Sequence, residues 1–336
     1  MRSRAFWYPA LLAVLLAVPA AGIPAASARR ASIPARVAAP AEGLAALLAR
    51  AQAAFDHADY LAAKELFSRA AGLAPRDAIA WAGKARAEVF LGDNTGAAAD
   101  YTTAIRYAPT EALYYLRRGN CYDDLREETR ALADYNTAIV LDPRDADAYY
   151  NRGALFYNTG AYGASTYDYG QAIRLRPTWW QAYYNRGEAE VEIGLNQATI
   201  DDVTAYLAHT SGFACVCAYT LRGTAHYRLG AYAAALKDYD AAIALDPADA
   251  VAYFDCGTAA YHLGRYARSI ACLSRDLSLQ PGDASAFYYR GLARRDSGDR
   301  TGAIADLRAA VRLFTKNGHD AARAAEDALR KLEGTA

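Results

Sequence analysis

Chemistry in this chain would have to come from few side chains. Five cysteines and five histidines are present. Cys215-Val216-Cys217 is the tightest grouping, and a C-x-C pair can be a strained local disulfide, a redox site or part of a metal site. His209 and His226 lie near it in sequence, but a typical protein metal site needs four ligands and no second pair lies close by. No metal or other cofactor is therefore expected. Cys121 precedes Tyr122 and reads as a small buried residue. The sequence contains no G-x-S-x-G, no phosphate-binding glycine loop and no H-E-x-x-H. The histidines are scattered, and no catalytic residues are assigned. The chain reads as a binding protein rather than an enzyme.

What the side chains do instead is recur. Ala148 to Gly153 spells AYYNRG, and Ala182 to Gly187 spells it again, 34 residues later. Glycines stand at Gly119, Gly153, Gly187, Gly223, Gly257 and Gly291, at spacings of 34, 34, 36, 34 and 34. Prolines mark a second series at Pro75, Pro109, Pro143, Pro177, Pro247 and Pro281. An aromatic stands four residues before each glycine: Tyr115, Tyr149, Tyr183, Tyr219, Tyr253 and Phe287. A small residue commonly follows twelve after the glycine, as at Ala131, Ser165 and Ala235. A fixed period of this length signals a repeat architecture, in which each unit cannot bury its apolar face alone.

In these positions the chain resembles the tetratricopeptide-repeat family. The resemblance implies an all-α, right-handed α-solenoid of eight helix-turn-helix units. They span 44–77, 78–111, 112–145, 146–179, 180–215, 216–249, 250–283 and 284–317. Gly160, Gly194, Gly230, Gly264 and Gly298 would sit in the turns between paired helices. The first unit has Ala51 in place of the glycine. The fifth ends in Ser211 rather than proline and carries two extra residues. The segment 318–336 would supply a capping helix from Asp320 to Leu332, with Ala321, Ala324, Ala325, Ala328, Leu329 and Leu332 on its packed side. Glycine or alanine lets the paired helices approach, the aromatic fills the space beside it, and proline ends the second helix.

Two further positions covary. A basic residue precedes the glycine and an Asp follows it sixteen residues on: Lys84 with Asp100, Arg118 with Asp134, Arg152 with Asp168, Arg186 with Asp202, Arg222 with Asp238, and Arg290 with Asp306. In a helical hairpin these face each other as a structural ion pair, worth about 0–1 kcal/mol where exposed. The seventh unit changes both positions together, to Cys256 and Cys272. A disulfide in place of the ion pair is the expectation in an exported protein.

In the family, first helices line a concave groove, and an asparagine two before the glycine hydrogen-bonds an extended peptide backbone. Asn151 and Asn185 stand at that place. The other units carry Arg117, Leu221, Asp255 and Tyr289 there. Tyr150, Tyr184, Phe254 and Tyr288, three before the glycine, should share that side, as should Tyr157, Tyr227 and Tyr261, four after it. Tyrosine suits recognition surfaces because it gives large contact area with a polar tip. Some relatives clamp a C-terminal carboxylate with two asparagines and several cations. Asn120 and Asn151 match the asparagine places, but Leu116, Gln181 and Asn185 stand at the cationic ones, so no such clamp is expected. Asp123, Asp124, Glu188 and Glu192 make the middle of the groove mildly acidic.

Composition bounds the partners. Lys plus Arg number 37 and Asp plus Glu number 37, so the chain lacks the net positive charge of a nucleic-acid binder. Arg2 and Arg4, the apolar run Phe6 to Gly22 and Ala26-Ser27-Ala28 have the layout of a secretory signal, cleaved after Ala28. Residues 29–43 read as a flexible linker. The mature chain is then periplasmic or secreted, with no lipid-attachment cysteine and no stable membrane insertion. The reading is a non-catalytic scaffold that holds a protein or extended peptide. The rivals are a carbohydrate-binding envelope protein and a self-associating structural protein.

Overall fold

Each proline of the series forces the residue before it out of helical conformation, and this ends the second helix of the unit it closes. Ala74 before Pro75 has φ −132° and ψ 79°, and Asp142 before Pro143 has φ −132° and ψ 92°. Aspartates then start many of the next helices. Asp77, Asp145, Asp249 and Asp283 accept from backbone N–H groups of the first turn, which would otherwise be unsatisfied. Between these signals the alanine-rich segments favour helix.

The computed structural model describes residues 43–210, 215–316 and 321–334. The expected signal segment, nearly all of the linker, Ser211 and Asp320 lie outside the described residues. Among the described residues there are seventeen helices and no strand. They pair as α1 (Leu44–Asp56) with α2 (Tyr60–Leu73), α3 (Ala78–Phe90) with α4 (Asn94–Tyr107), α5 (Ala112–Asp124) with α6 (Glu128–Leu141), and α7 (Ala146–Asn158) with α8 (Tyr162–Leu175). Next come α9 (Trp180–Glu192) with α10 (Asn196–His209), α11 (Val216–Arg228) with α12 (Tyr232–Leu245), α13 (Ala250–His262) with α14 (Tyr266–Leu279), and α15 (Ala284–Asp296) with α16 (Arg300–Lys316). A last helix, α17 (Ala322–Glu333), packs on α16. The architecture is an all-α solenoid. None of these helices is long and apolar enough to cross a membrane.

Inside each pair the repeated glycine is a contact point. A Cβ at Gly119 would lie 2.8 Å from the ring of Tyr135, which is fully buried. Leu273 and Leu307 take the same place opposite Gly257 and Gly291, and burying each contributes about 2–3 kcal/mol. The aromatic four before the glycine does more than fill space. Tyr115 donates to the Pro109 carbonyl at 3.1 Å, Tyr183 to that of Pro177 at 3.3 Å, and Trp81 to that of Pro75 at 3.0 Å. The two sequence series are thus joined by hydrogen bonds.

The six expected ion pairs form, and they also connect units. Arg118 binds Asp134 through two parallel hydrogen bonds of 2.8 Å, and its third nitrogen reaches Thr102 of the preceding unit at 3.0 Å. Arg152 and Arg290 repeat this with Asn136 and Ser274, and Arg222 does so with Thr204. Arg186 faces Gly170 there, and Glu190 stands 3.6 Å from its guanidinium. In the seventh unit the Cα atoms of Cys256 and Cys272 are 6.1 Å apart, a separation a disulfide spans. Arg275 replaces the missing cation over Tyr253, 5.9 Å from its ring, and donates to the Pro247 carbonyl at 3.3 Å.

The capping helix differs in detail from expectation. Ala325 and Ala328 are buried, against Phe314 and Ala310 and against Leu292 and Leu307. Ala324 is exposed, because the buried stripe runs through Ala321, Ala325, Ala328 and Leu332 and leaves position 324 to one side.

Candidate functional site

Odd-numbered helices touch one another across units, α5 with α7, α7 with α9, α9 with α11, α11 with α13, and α13 with α15. Even-numbered helices have no comparable contacts among the described residues. The odd helices therefore form the more closely spaced layer, called here the inner face. Asn120, Tyr150, Asn151, Tyr157, Tyr184, Asn185, Glu188, Tyr227, Phe254, Tyr261 and Tyr288 all lie on these helices, and all are half-buried.

Their side chains fall into two groups. In the first, hydrogen bonds cross from helix to helix. Asn120 on α5 accepts from the Tyr135 hydroxyl at 3.0 Å and from Asn151 Nδ2 on α7 at 2.8 Å. Asn185 on α9 donates to the Tyr150 hydroxyl on α7 at 2.8 Å and accepts from Gln181 at 2.8 Å. Tyr150 stacks on Trp179 at 4.2 Å, and the Tyr157 ring meets Tyr162 at 5.4 Å. Tyr184 donates to Glu188 at 3.0 Å. Burial pushes the Glu188 carboxyl up to about 7, with the Tyr184 hydroxyl opposing and Glu192 adding to the rise. Asp123 and Asp124 are also raised, chiefly by burial. Glu188 thus carries only part of a charge near neutrality.

The second group is aromatic. Tyr227 packs against Tyr232 and His262 at 5.2 and 5.6 Å. Tyr261 donates to Asp296 at 3.0 Å and lies 6.0 Å from Tyr289, which also meets Phe254 and Tyr288. Asp255 sits among them, pushed up to about 7 by burial and then by Asp249.

Trp179, Tyr232, His262 and Tyr289 were not singled out from the sequence. Tyr289 stands at the asparagine place of its unit, where it looks like a break in a ladder but is a continuation of the aromatic surface.

The other candidates have other roles. His209 stacks on Trp180 at 3.7 Å, and His226 lies 3.9 Å from Asp238. Among the described residues no three His, Cys, Asp or Glu side chains are grouped so that they could hold a metal, and the Cα atoms of Cys215 and Cys217 are 5.2 Å apart. Cys121 is buried, with its thiol pushed up to about 12 by desolvation.

Family models for tetratricopeptide repeats match at 83–142 and 254–318, and a related repeat model matches at 129–160 and 223–264. Together with the helix pairs, these matches decide the family. The chain is a tetratricopeptide-repeat protein.

Solved structures agree on the fold. The C-terminal part of a tetratricopeptide-repeat protein from Cytophaga hutchinsonii aligns with TM-score 0.57 and 18% identity, over 72% of this chain and 98% of that one. PilF of Pseudomonas aeruginosa aligns with TM-score 0.53 and 13% identity, over 61% and 92%. A tetratricopeptide-repeat protein from Parabacteroides merdae aligns with TM-score 0.50 and 18% identity, over 75% and 97%. No curated protein matches the sequence significantly. Tetratricopeptide-repeat proteins are scaffolds for protein–protein contact, and this one has the corresponding architecture.

Proposed function

We propose that this protein is a non-catalytic scaffold of the cell envelope that binds an extended segment of a partner protein along its inner face. The observation that carries this reading is the run of side-chain amides and hydroxyls across α5, α7 and α9. Asn120 Nδ2 and Asn151 Oδ1 have no protein partner among the described residues, while the other end of each amide is held by a neighbouring helix. An amide fixed at one end and open at the other offers a preset donor or acceptor to a peptide backbone. Flanking tyrosines add apolar contact without demanding one ligand sequence. The signal-like residues 1–28 support export, and export favours oxidation of both cysteine pairs.

The test is capture from envelope extract with residues 29–336 as bait, beside a variant with Tyr150, Asn151, Tyr184 and Asn185 changed to Ala. A partner held by the first and lost by the folded second supports the reading. Equal capture by both places the site elsewhere. Capture that survives protease treatment of the extract would favour a carbohydrate instead.

A further inference from the structure

Nearly every arginine described so far ends on a carboxylate. Arg86 and Arg117, both on the inner face, do not. Arg86 on α3 donates to Gln52 Oε1 at 2.7 Å, and its guanidinium lies 3.8 Å over the Phe55 ring. Its Nε is buried without a partner. Gln52 in turn donates to Asp56 at 2.5 Å. Arg117 on α5 has no ion pair or hydrogen bond to a carboxylate among the described residues, and it is exposed.

These arginines flank a cavity of about 400 Å³ between α1, α3 and α5. Its walls are apolar, including Leu48, Ile79, Leu113 and Tyr114. Ile79 is 62% exposed and Leu113 44% exposed. Ala82 and Gly83 line it at the two places where the fourth unit has Tyr150 and Asn151, and the Phe67 ring fills the space beside Gly83. It adjoins the amide run, since Arg117 and Asn120 are three apart on one helix.

We propose that this cavity binds an anionic, apolar peptide segment of a partner protein, with a bulky apolar side chain in the cavity and a carboxylate held by Arg86 and Arg117. The proposal rests on the inner face being the binding surface. Guanidinium groups without counter-charge favour a carboxylate, and the fork geometry of arginine suits it. Exposed isoleucine and leucine favour covering by an apolar side chain. The chain's own residues 29–42 do not fit, because they carry Arg29, Arg30 and Arg36 against a single acid, Glu42. Burial, and after it Glu111 and Asp77, raise the Tyr114 hydroxyl, so two acids lie on that side of the cavity.

The probes are fluorescein-labelled decapeptides of alternating Glu and Leu, with Gln-Leu, Lys-Leu and Glu-Ser versions, titrated by anisotropy against residues 29–336. The Glu-Leu peptide should bind, the other three at least about tenfold more weakly. Arg86→Gln with Arg117→Gln, folded by circular dichroism, should weaken Glu-Leu binding by about tenfold or more and reduce its salt dependence. Equal binding of Glu-Leu and Gln-Leu peptides, unchanged binding by the arginine variant, or no binding up to about 1 mM would each overturn the proposal. Asn151→Ala with Asn185→Ala separates the two readings. If it alone reduces peptide binding, the inner face stands and the arginine site falls. If neither variant changes binding, both fall.

Discussion

Arg152 holds Asp168 through two hydrogen bonds of 2.7 and 2.8 Å while its third nitrogen donates to Asn136 in the preceding unit at 2.6 Å. One side chain thus fixes the register of its own hairpin and the docking of that hairpin on its neighbour. Asp168 is 1% exposed. Asp168→Ala removes the only carboxylate that pairs with the largely buried Arg152 among the described residues, and should destabilise the protein by about 3 kcal/mol. Replacing both residues with apolar ones of similar size should cost much less. Urea unfolding of the single and double variants checks this.

The cysteines are expected to divide four and one. Protein unfolded without reductant should show a single thiol, that of Cys121. Five free thiols would remove both proposed disulfides. Cys256→Ser with Cys272→Ser should lower stability by about 2–4 kcal/mol, since the bond closes a loop between helices that pack together. Mass mapping of alkylated peptides distinguishes the two pairs.

The pairing of Arg118 with Asp134 was legible because both positions recur together and the period fixes which residues face each other within a hairpin. Asn185 donating to Tyr150 was not. That contact depends on the angle between neighbouring units, which no spacing encodes. The cavity beside Arg86 was hidden for a related reason. It is lined by residues of five helices, from Leu48 to Arg117, and no single unit's spacing brings them together. Ala324 was misplaced because an alanine-rich stretch looks apolar on every side.

Arg126 occupies a turn in which the first unit has Ala58 and the other units use glycine. Its φ is 63°, against 79° at Gly160, and the same backbone hydrogen bonds close both turns. A residue with a Cβ is strained there by about 1–2 kcal/mol. Arg126→Gly should raise stability by about 1 kcal/mol, with the gain reduced by entropy in the unfolded chain. Thermal unfolding of the variant tests it, and a fall in melting temperature would show the turn to be relaxed.

Asp276 stands where other units have Ala138, Ala172, Ala242 and Ala310, and it is 1% exposed. Its Oδ2 has no hydrogen-bond partner among the described residues. Burial, and after it Asp283, push its pKa up to about 7. The folded state therefore keeps a proton that the unfolded chain releases near its ordinary value. The stability this provides is complete below that value and is lost as pH rises through about 7. Asp276→Ala should stabilise the protein by about 1–3 kcal/mol at pH 8 and by less at pH 5. An equal change at both pH values would show that the carboxyl is not titrating as described.

The central claim is that partners lie on the odd-numbered helices. Photo-crosslinking tests it directly, with p-benzoylphenylalanine placed at Tyr157 on α7 and, in a second protein, at Tyr167 on α8, which is 62% exposed. The account predicts a partner adduct from position 157 and none from 167, with the former lost when Asn151 and Asn185 are changed to Ala. Adducts formed from 167 and not from 157 would contradict it and move the binding surface to the outer helices.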